Sequence, residues 1–123
     1  MPILEVEIVL RPTEMLPSDL AARLAECAGA IFGSSPGETW VKVRTIPAEQ
    51  YAENDSQLPE GFYPVFVSIL QARQTPLAAQ QAEVAELTAS IAHVCGRPTE
   101  SIHLFYQPEG QGRVAFGGKL VLE

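Results

Sequence analysis

The residue best suited to chemistry stands at the start of the chain, where Met1-Pro2 leads directly into the apolar stretch PILEVEIVL. An initiator methionine is usually removed before a small residue such as proline, and we expect that removal here. Pro2 would then carry a free secondary amine, for which the reference pKa of an α-amino group is about 7.7–8.0. Partial burial and nearby cations lower the pKa of such an amine, so that it can act as a general base at pH 7. The alternative is an ordinary proline before a first strand.

Positive charge is the second feature, because it is concentrated on predicted strands and strand ends. The chain has 8 Lys and Arg against 15 Asp and Glu, a net charge of -7. Four of the cations nevertheless fall on strands or at their ends: Arg11, Lys42, Arg44 and Arg73. Arg11 and Arg73 each follow a proline by nine residues. An arginine can hold a planar carboxylate with two hydrogen bonds. The alternative is that these are surface arginines paired with Glu or Asp.

Composition excludes several other classes of function. A chain of 123 residues with 46% hydrophobic residues fits one compact domain. The acidic balance argues against nucleic-acid binding, and no apolar run approaches the ~20 residues of a membrane span. No signal peptide is evident, and Cys27 and Cys95 have no C-x-x-C spacing, so we expect a cytoplasmic protein with reduced thiols. No side-chain cluster has metal-ligand spacing, so we expect neither a metal nor a cofactor.

Hydrophobic periodicity predicts four strands and two helices. Strands are predicted at 2–10, 39–46, 64–72 and 101–106, and helices at 19–32 and 76–95. Ser18 is the expected N-cap of the first helix, and Gly33 is expected to end it. The polar segment 47–63 is a predicted connector, and 112–122 is a predicted C-terminal strand or hairpin. The domain therefore consists of two βαβ units, 2–46 and 64–106, within 1–123.

The two units show an internal repeat. An offset of 62 residues aligns Pro2 with Pro64, Arg11 with Arg73 and Pro36 with Pro98, and a slip of one residue aligns Gly33 with Gly96. Two right-handed βαβ units side by side give a four-stranded sheet with both helices on one face. The strands are largely apolar, so we expect the other sheet face to pack against further subunits.

Taken together, these segments resemble the tautomerase superfamily. The start MPILEVEIVLR and the tail GRVAFGGKLV are similar to those of 4-oxalocrotonate tautomerase, and TWVKVRTIPAEQYAEN followed by FVSILQAR is similar to the longer, two-unit members, such as macrophage migration inhibitory factor. The resemblance implies an α+β fold of tandem βαβ units. It also implies a homotrimer whose sheets form an inner barrel, and cofactor-independent tautomerase or isomerase activity on a small 2-keto or enol carboxylate.

The resemblance also implies roles for single residues. Pro2 is the expected base, Arg73 the expected carboxylate-binding residue, and Arg11 a further catalytic arginine. The expected substrate-binding residues include either Lys42 or Arg44, because the alignment with the family does not distinguish the two. The others are His103, Tyr106, Tyr51 and Phe116.

Two other functions remain open at this stage. One is a hydrolytic dehalogenase or decarboxylase on the same scaffold, for which Glu38 is the available acidic residue near Pro2. The other is a non-enzymatic, trimeric binding protein. A retained Met1 would favour the latter, because the Pro2 nitrogen would then be an amide without a basic lone pair.

Overall fold

The computed structural model describes residues 2–54 and 62–122. Met1, Glu123 and the part of the predicted connector at 55–61 lie outside the described residues. The strands are β1 (Ile3–Val9), β2 (Trp40–Ile46), β3 (Val65–Leu70) and β4 (Ile102–Tyr106), and the helices are α1 (Leu20–Phe32) and α2 (Leu77–Cys95). Short 3-10 turns at Ala48–Gln50 and Thr99–Ser101 follow β2 and precede β4. The C-terminal hairpin consists of β5 (Ala115–Phe116) and β6 (Lys119–Leu120).

The four long strands form one mixed sheet in the order β2-β1-β3-β4. Within each βαβ unit the strands run parallel, and the two units meet where β1 and β3 pair antiparallel. The tandem βαβ architecture expected from the repeat is therefore confirmed. The antiparallel seam places the start of β1 beside the end of β3, since Ile3 lies opposite Leu70.

One face of the sheet is covered by both helices and forms the core. Alternate residues of β1 and β3 are fully buried there, because strand side chains alternate between faces: Leu4, Val6, Ile8, Val65, Val67 and Ile69. Leu24 of α1 and Leu87 and Ile91 of α2 pack against them. This burial fixes the strand register, since a slip of one residue would move the whole apolar set to the other face.

The opposite face, called the open face below, is mixed in character. On this face, two carboxylates of β1 lie opposite two cations of β2, namely Glu5 opposite Lys42 and Glu7 opposite Arg44. Beside these charges lie aromatic rings of β3 and β4, with Phe66 stacked near Phe105 at a centroid distance of 6.5 Å. The expected apolar face is therefore only partly apolar.

The ends of the two helices test the predicted caps. Both helices end at a glycine in the left-handed conformation, Gly33 with φ 64° and Gly96 with φ 65°, as the repeat predicts. The predicted N-cap at Ser18 is wrong. The helix starts one residue later, after a turn in which the Leu20 N–H donates to the Pro17 carbonyl, and the N-cap residue Asp19 makes no side-chain capping bond.

Candidate functional site

Pro2 is buried at the start of β1, on the helix-covered side of the sheet. Its carbonyl accepts a hydrogen bond from the Trp40 N–H at 3.0 Å, which ties it to the parallel strand β2. A proline is tolerated at the first position of a strand because no ladder hydrogen bond is then required of its nitrogen. The fold therefore holds the Pro2 ring in a fixed place while its nitrogen stays outside the ladder.

A cavity of about 290 Å³ opens beside the Pro2 ring. Three segments meet around it: the end of α1, the loop that leads into β2, and the residues that follow β3. Its lining consists of Pro2, Phe32, Gly33, Ser34, Glu38, Gln71, Ala72 and Arg73. The antiparallel seam is the reason for this meeting, because it places the residues after β3 next to the start of β1.

Arg73 supplies the positive charge of the cavity. Its Nε–H donates to Oε1 of Gln111 at 3.2 Å, and the Gln111 amide donates in turn to the Leu122 carbonyl at 2.6 Å. The guanidinium forms no ion pair with any residue in 2–54 or 62–122. Arg73 is thus oriented from the C-terminal tail, and its charge is available to an anion in the cavity.

Glu38 supplies the negative charge of the cavity. Its Oε1 accepts a hydrogen bond from the Ser35 N–H at 2.8 Å, and hydrogen bonds from Ser35 lower the pKa of this carboxyl below its ordinary value. Glu38 is therefore ionised at neutral pH. Beside the cavity, Glu38 also borders a hollow of about 280 Å³ with Ile3, Gly37, Trp40 and Phe116.

Known proteins resemble this chain in structure but not detectably in sequence. No family model matches the chain, and no curated protein matches its sequence. Macrophage migration inhibitory factor from Trichinella spiralis superimposes with a TM-score of 0.73 at 16% identity, covering 96% of this chain and 98% of that protein. A fused 4-OT, solved as a wild-type symmetric trimer, gives a TM-score of 0.76 at 11% identity, with 97% and 94% covered.

A malonate semialdehyde decarboxylase inhibited by 3-bromopropiolate gives a TM-score of 0.68 at 11% identity, with 94% of this chain and 88% of that protein covered. These proteins all have the architecture of tandem βαβ units over nearly their whole length. The chain has the tautomerase-superfamily fold. The resemblance inferred from the sequence is therefore confirmed for the fold, and identities of 11–16% carry no further conclusion about activity.

Within this tautomerase fold, Arg11 lies far from Pro2. It follows the other end of β1, on the order of 25 Å away by the rise of a strand. Its guanidinium donates to Glu14 at 3.1 Å and to the Gly96 carbonyl at 2.7 Å. In one chain, the structure therefore brings Pro2 and Arg73 together and leaves Arg11 elsewhere.

Four of the predicted substrate-binding residues lie on or over the open face. Lys42 pairs with Glu5 at 2.8 Å, and Arg44 lies two residues further along the same strand. The ring of His103 stacks on Phe66 with 5.4 Å between centroids, and Tyr51 contacts the same ring at 5.7 Å. None of the four lines the Pro2 cavity of its own chain.

The two remaining predicted residues point in different directions. Tyr106 lies on the helix-covered face, where its hydroxyl donates to Glu83 of α2 at 2.6 Å, and burial raises the pKa of this hydroxyl. Phe116, in the C-terminal hairpin, packs edge-on against Trp40 at 5.1 Å. Phe116 thus forms a wall of the hollow that shares Glu38 with the Pro2 cavity.

Sequence reasoning missed two residues at the site and one buried residue at the other end of the sheet. Gln71 and Gln111 contact or line the cavity, but a glutamine carries no sequence signal for such a role. Arg97 is buried at the other end of the sheet and binds Glu14. The repeat could have singled out Arg97, because it takes the place of Ser34 immediately after the helix-ending glycine.

The part of the chain that the structure describes has neither a metal-binding cluster nor a membrane-spanning helix. No group of three or more His, Cys, Asp or Glu side chains there is arranged to hold a metal ion. No described helix has both the length and the apolar character needed to cross a membrane.

Proposed function

We propose that the chain is a cofactor-independent tautomerase that acts on a small 2-keto or enol carboxylate, with Pro2 as general base. The observation that supports this proposal is that Pro2 and Arg73 line one small cavity. With Met1 removed, the Pro2 amine takes a proton from the carbon next to the keto group and then gives it to the oxygen of the resulting enolate. Atoms and charge balance within one substrate, since no other reactant is consumed.

Arg73 is proposed to bind the substrate carboxylate. Two N–H groups of a guanidinium match the two oxygens of a carboxylate, which orients the substrate in the cavity. The same positive charge stabilises the negative charge that develops on the enolate oxygen. Phe32 and Ala72 add apolar surface to the wall, and the burial of Pro2 favours the neutral form of its amine.

We further propose a homotrimer that covers the open face. Trp40 is 50% exposed and Phe105 is 54% exposed in the single chain, so large aromatic surface remains uncovered there. A fused 4-OT of this fold was solved as a symmetric trimer. In such an assembly, the open-face residues Lys42, Arg44 and His103 of one chain would lie close to the neighbouring chain. We propose that they take part in substrate binding there.

The experiment compares two forms of the same chain. Protein without Met1, verified by intact mass, is assayed with phenylpyruvate and 2-hydroxymuconate beside protein that retains Met1. General-base catalysis contributes about 10²–10⁴-fold, so retention of Met1 should lower kcat/KM by at least about 100-fold. Equal rates of the two forms would contradict the role of Pro2. Lack of activity in both would favour the non-enzymatic, trimeric binding protein.

A second candidate function is hydrolytic, as a decarboxylase or dehalogenase. The observation that favours it is the ionised Glu38 carboxylate on the Pro2 cavity, because a carboxylate there can activate water. We expect Glu38→Gln to abolish any turnover of malonate semialdehyde or 3-chloroacrylate, and to leave tautomerase turnover nearly unchanged. If neither compound is turned over by the chain without Met1, the hydrolytic candidate is rejected.

A further inference from the structure

Gln71 has a buried oxygen that lacks a partner. Its Oε1 is shielded from solvent, and no residue in 2–54 or 62–122 donates a hydrogen bond to it. Buried polar groups in folded proteins are nearly always hydrogen-bonded, and leaving one unpaired costs about 1–3 kcal/mol. Because Gln71 lines the candidate site, we expect the functional form of the site to supply a hydrogen-bond donor to its Oε1.

The sheet register places Gln71 beside Pro2. Ile3 lies opposite Leu70 across the antiparallel seam, so the next pair outward is Pro2 and Gln71. Residues that lie directly opposite each other have side chains on the same face and Cβ atoms about 4.5–5.5 Å apart. Both residues line the same cavity.

No neighbouring polar group of the described residues donates to Oε1 of Gln71. Arg73 donates through Nε to Gln111, and Ser34 Oγ accepts a hydrogen bond from the Thr39 hydroxyl at 2.6 Å. The Gly110 N–H donates to the backbone carbonyl of Gln71 at 2.7 Å and not to its side chain. The Pro2 nitrogen carries no hydrogen while it is an amide, but it has one as a neutral terminal amine and two when it is protonated.

We infer that Gln71 is a positioning residue for the Pro2 base, and that its side-chain oxygen accepts a hydrogen bond from the terminal Pro2 amine. This inference rests on the proposed function in that it requires a free Pro2 amine. The bond directs one N–H toward Gln71 and turns the lone pair into the cavity, toward a substrate held by Arg73. When the amine takes a proton from the substrate, it keeps the bond to Gln71 and the new N–H faces the substrate. Gln71 itself exchanges no proton.

The arrangement has a consequence for the pKa of the amine. An acceptor stabilises the protonated amine more than the neutral one, because hydrogen bonds to charged groups are stronger. Gln71 therefore offsets part of the lowering of the amine pKa by burial and by Arg73. Without this bond, the base would be weaker and less well oriented.

The test is a titration of the Pro2 amine without any substrate. Protein without Met1, labelled with ¹⁵N-proline, is titrated by NMR as the parent chain, as Gln71→Met and as Gln71→Glu. Methionine has a similar length but no strong acceptor, so we expect the amine pKa in Gln71→Met to fall by about one unit. Gln71→Glu places an anion beside the amine and should raise the pKa. Gln81→Met, on the exposed surface of α2, is the matched control and should leave the amine pKa where it is.

An unchanged or raised amine pKa in Gln71→Met overturns the inference, and so does a lack of response in Gln71→Glu if Gln71→Met does not fold. In active protein, the acidic limb of the kcat/KM profile, which reports the free enzyme, should move by the same amount as the amine pKa, whereas a purely structural role would lower kcat/KM at every pH and leave the limb in place. The outcome is separable from that of the proposed function. If the Gln71 variants shift the pKa of the Pro2 amine in a protein without tautomerase activity, this inference is supported and the proposed function is rejected. If the protein is active but its amine pKa does not change in the Gln71 variants, the proposed function is supported and this inference is rejected.

Discussion

The two ends of the β1–β3 seam have the same backbone plan but different contents. The Pro2 end consists of Pro2, the glycine end of α1 and Arg73. The Pro64 end consists of Pro64, the glycine end of α2 and Arg11. The residue after the helix-ending glycine differs between them, since it is Ser34 at the Pro2 end and Arg97 at the Pro64 end.

That difference decides whether an end is open. The Arg97 side chain is fully buried and fills the Pro64 end, where it donates to the carbonyls of Val9, Cys95 and Tyr63. Its two terminal nitrogens hold the Glu14 carboxylate at 2.8 Å each. At the Pro2 end, the shorter Ser34 leaves a cavity. The same scaffold therefore yields a cross-linked structural end and an accessible one.

The Pro64 end also shows what such a site binds. Arg97 and Arg11 both contact the Glu14 carboxylate, which acts there as a built-in anion. At the Pro2 end, Arg73 occupies the repeat position of Arg11 but forms no ion pair with a carboxylate of the described residues, Glu38 included. The comparison supports a small carboxylate as the ligand of the Pro2 end.

The largest expected effect comes from breaking the Pro64 end. Arg97→Met removes the donors of three carbonyls and leaves Glu14 with Arg11 as its remaining partner, and removal of one partner from a buried ion pair costs about 3–5 kcal/mol. We expect the free energy of unfolding to fall by that amount in urea denaturation. Arg73→Met removes the arginine of the open end and should change stability by less than about 0.5 kcal/mol. Equal losses in the two variants would mean that the ends do not differ as described.

The second prediction uses pH to probe the same end. Hydrogen bonds from Arg97 lower the pKa of the Glu14 carboxyl from 4.5 to about 2. A carboxyl with a lowered pKa in the folded state contributes stability above its unfolded pKa and loses it as the pH falls through its folded pKa. We therefore expect roughly 3 kcal/mol of stability to disappear between about pH 4.5 and pH 2.

Glu14→Gln should remove this part of the acid dependence, as measured by urea denaturation at several pH values. Glu26→Gln, an exposed carboxyl of α1, serves as the control and should retain the acid dependence of the parent chain. An acid profile of Glu14→Gln that matches the parent would show that another carboxyl is responsible.

The two ends also show what sequence alone can predict. The strands, both helices and their glycine ends follow from hydrophobic period and repeat, because burial and left-handed turns leave strong local signals. Pro2 and Arg73 were predicted separately, and the meeting of the two depends on an antiparallel seam that no local pattern encodes. The contrast between Ser34 and Arg97 is visible in the aligned repeat, but its effect depends on Glu14, more than 80 residues away in the chain. The roles of Gln71 and Gln111 arise only from tertiary packing.

The third prediction compares the two repeated arginines in activity. Charged hydrogen bonds are worth about 1.5–3 kcal/mol, so Arg73→Ala should lower kcat/KM for a 2-keto carboxylate by roughly 100-fold. Arg11 is bound to Glu14 and the Gly96 carbonyl, and we expect Arg11→Ala to change kcat/KM by less than about threefold. A loss in Arg11→Ala as large as that in Arg73→Ala would instead show that Arg11 reaches Pro2 of a neighbouring chain in the trimer.

The smallest expected effect concerns the glycines that end the two helices. Gly33 and Gly96 have φ values of 64° and 65°, and a Cβ added to either would meet no heavy atom within 4 Å. The cost of alanine is therefore conformational at both positions, about 1 kcal/mol each, and asparagine should cost less because it tolerates the left-handed region. Only Gly33 lines the Pro2 cavity, so Gly33→Ala should also raise KM, whereas Gly96→Ala should leave KM unchanged. Thermal denaturation and steady-state kinetics of the four variants measure both effects, and a clearly larger stability loss at Gly96 would show that Arg97 makes its end less tolerant of backbone adjustment.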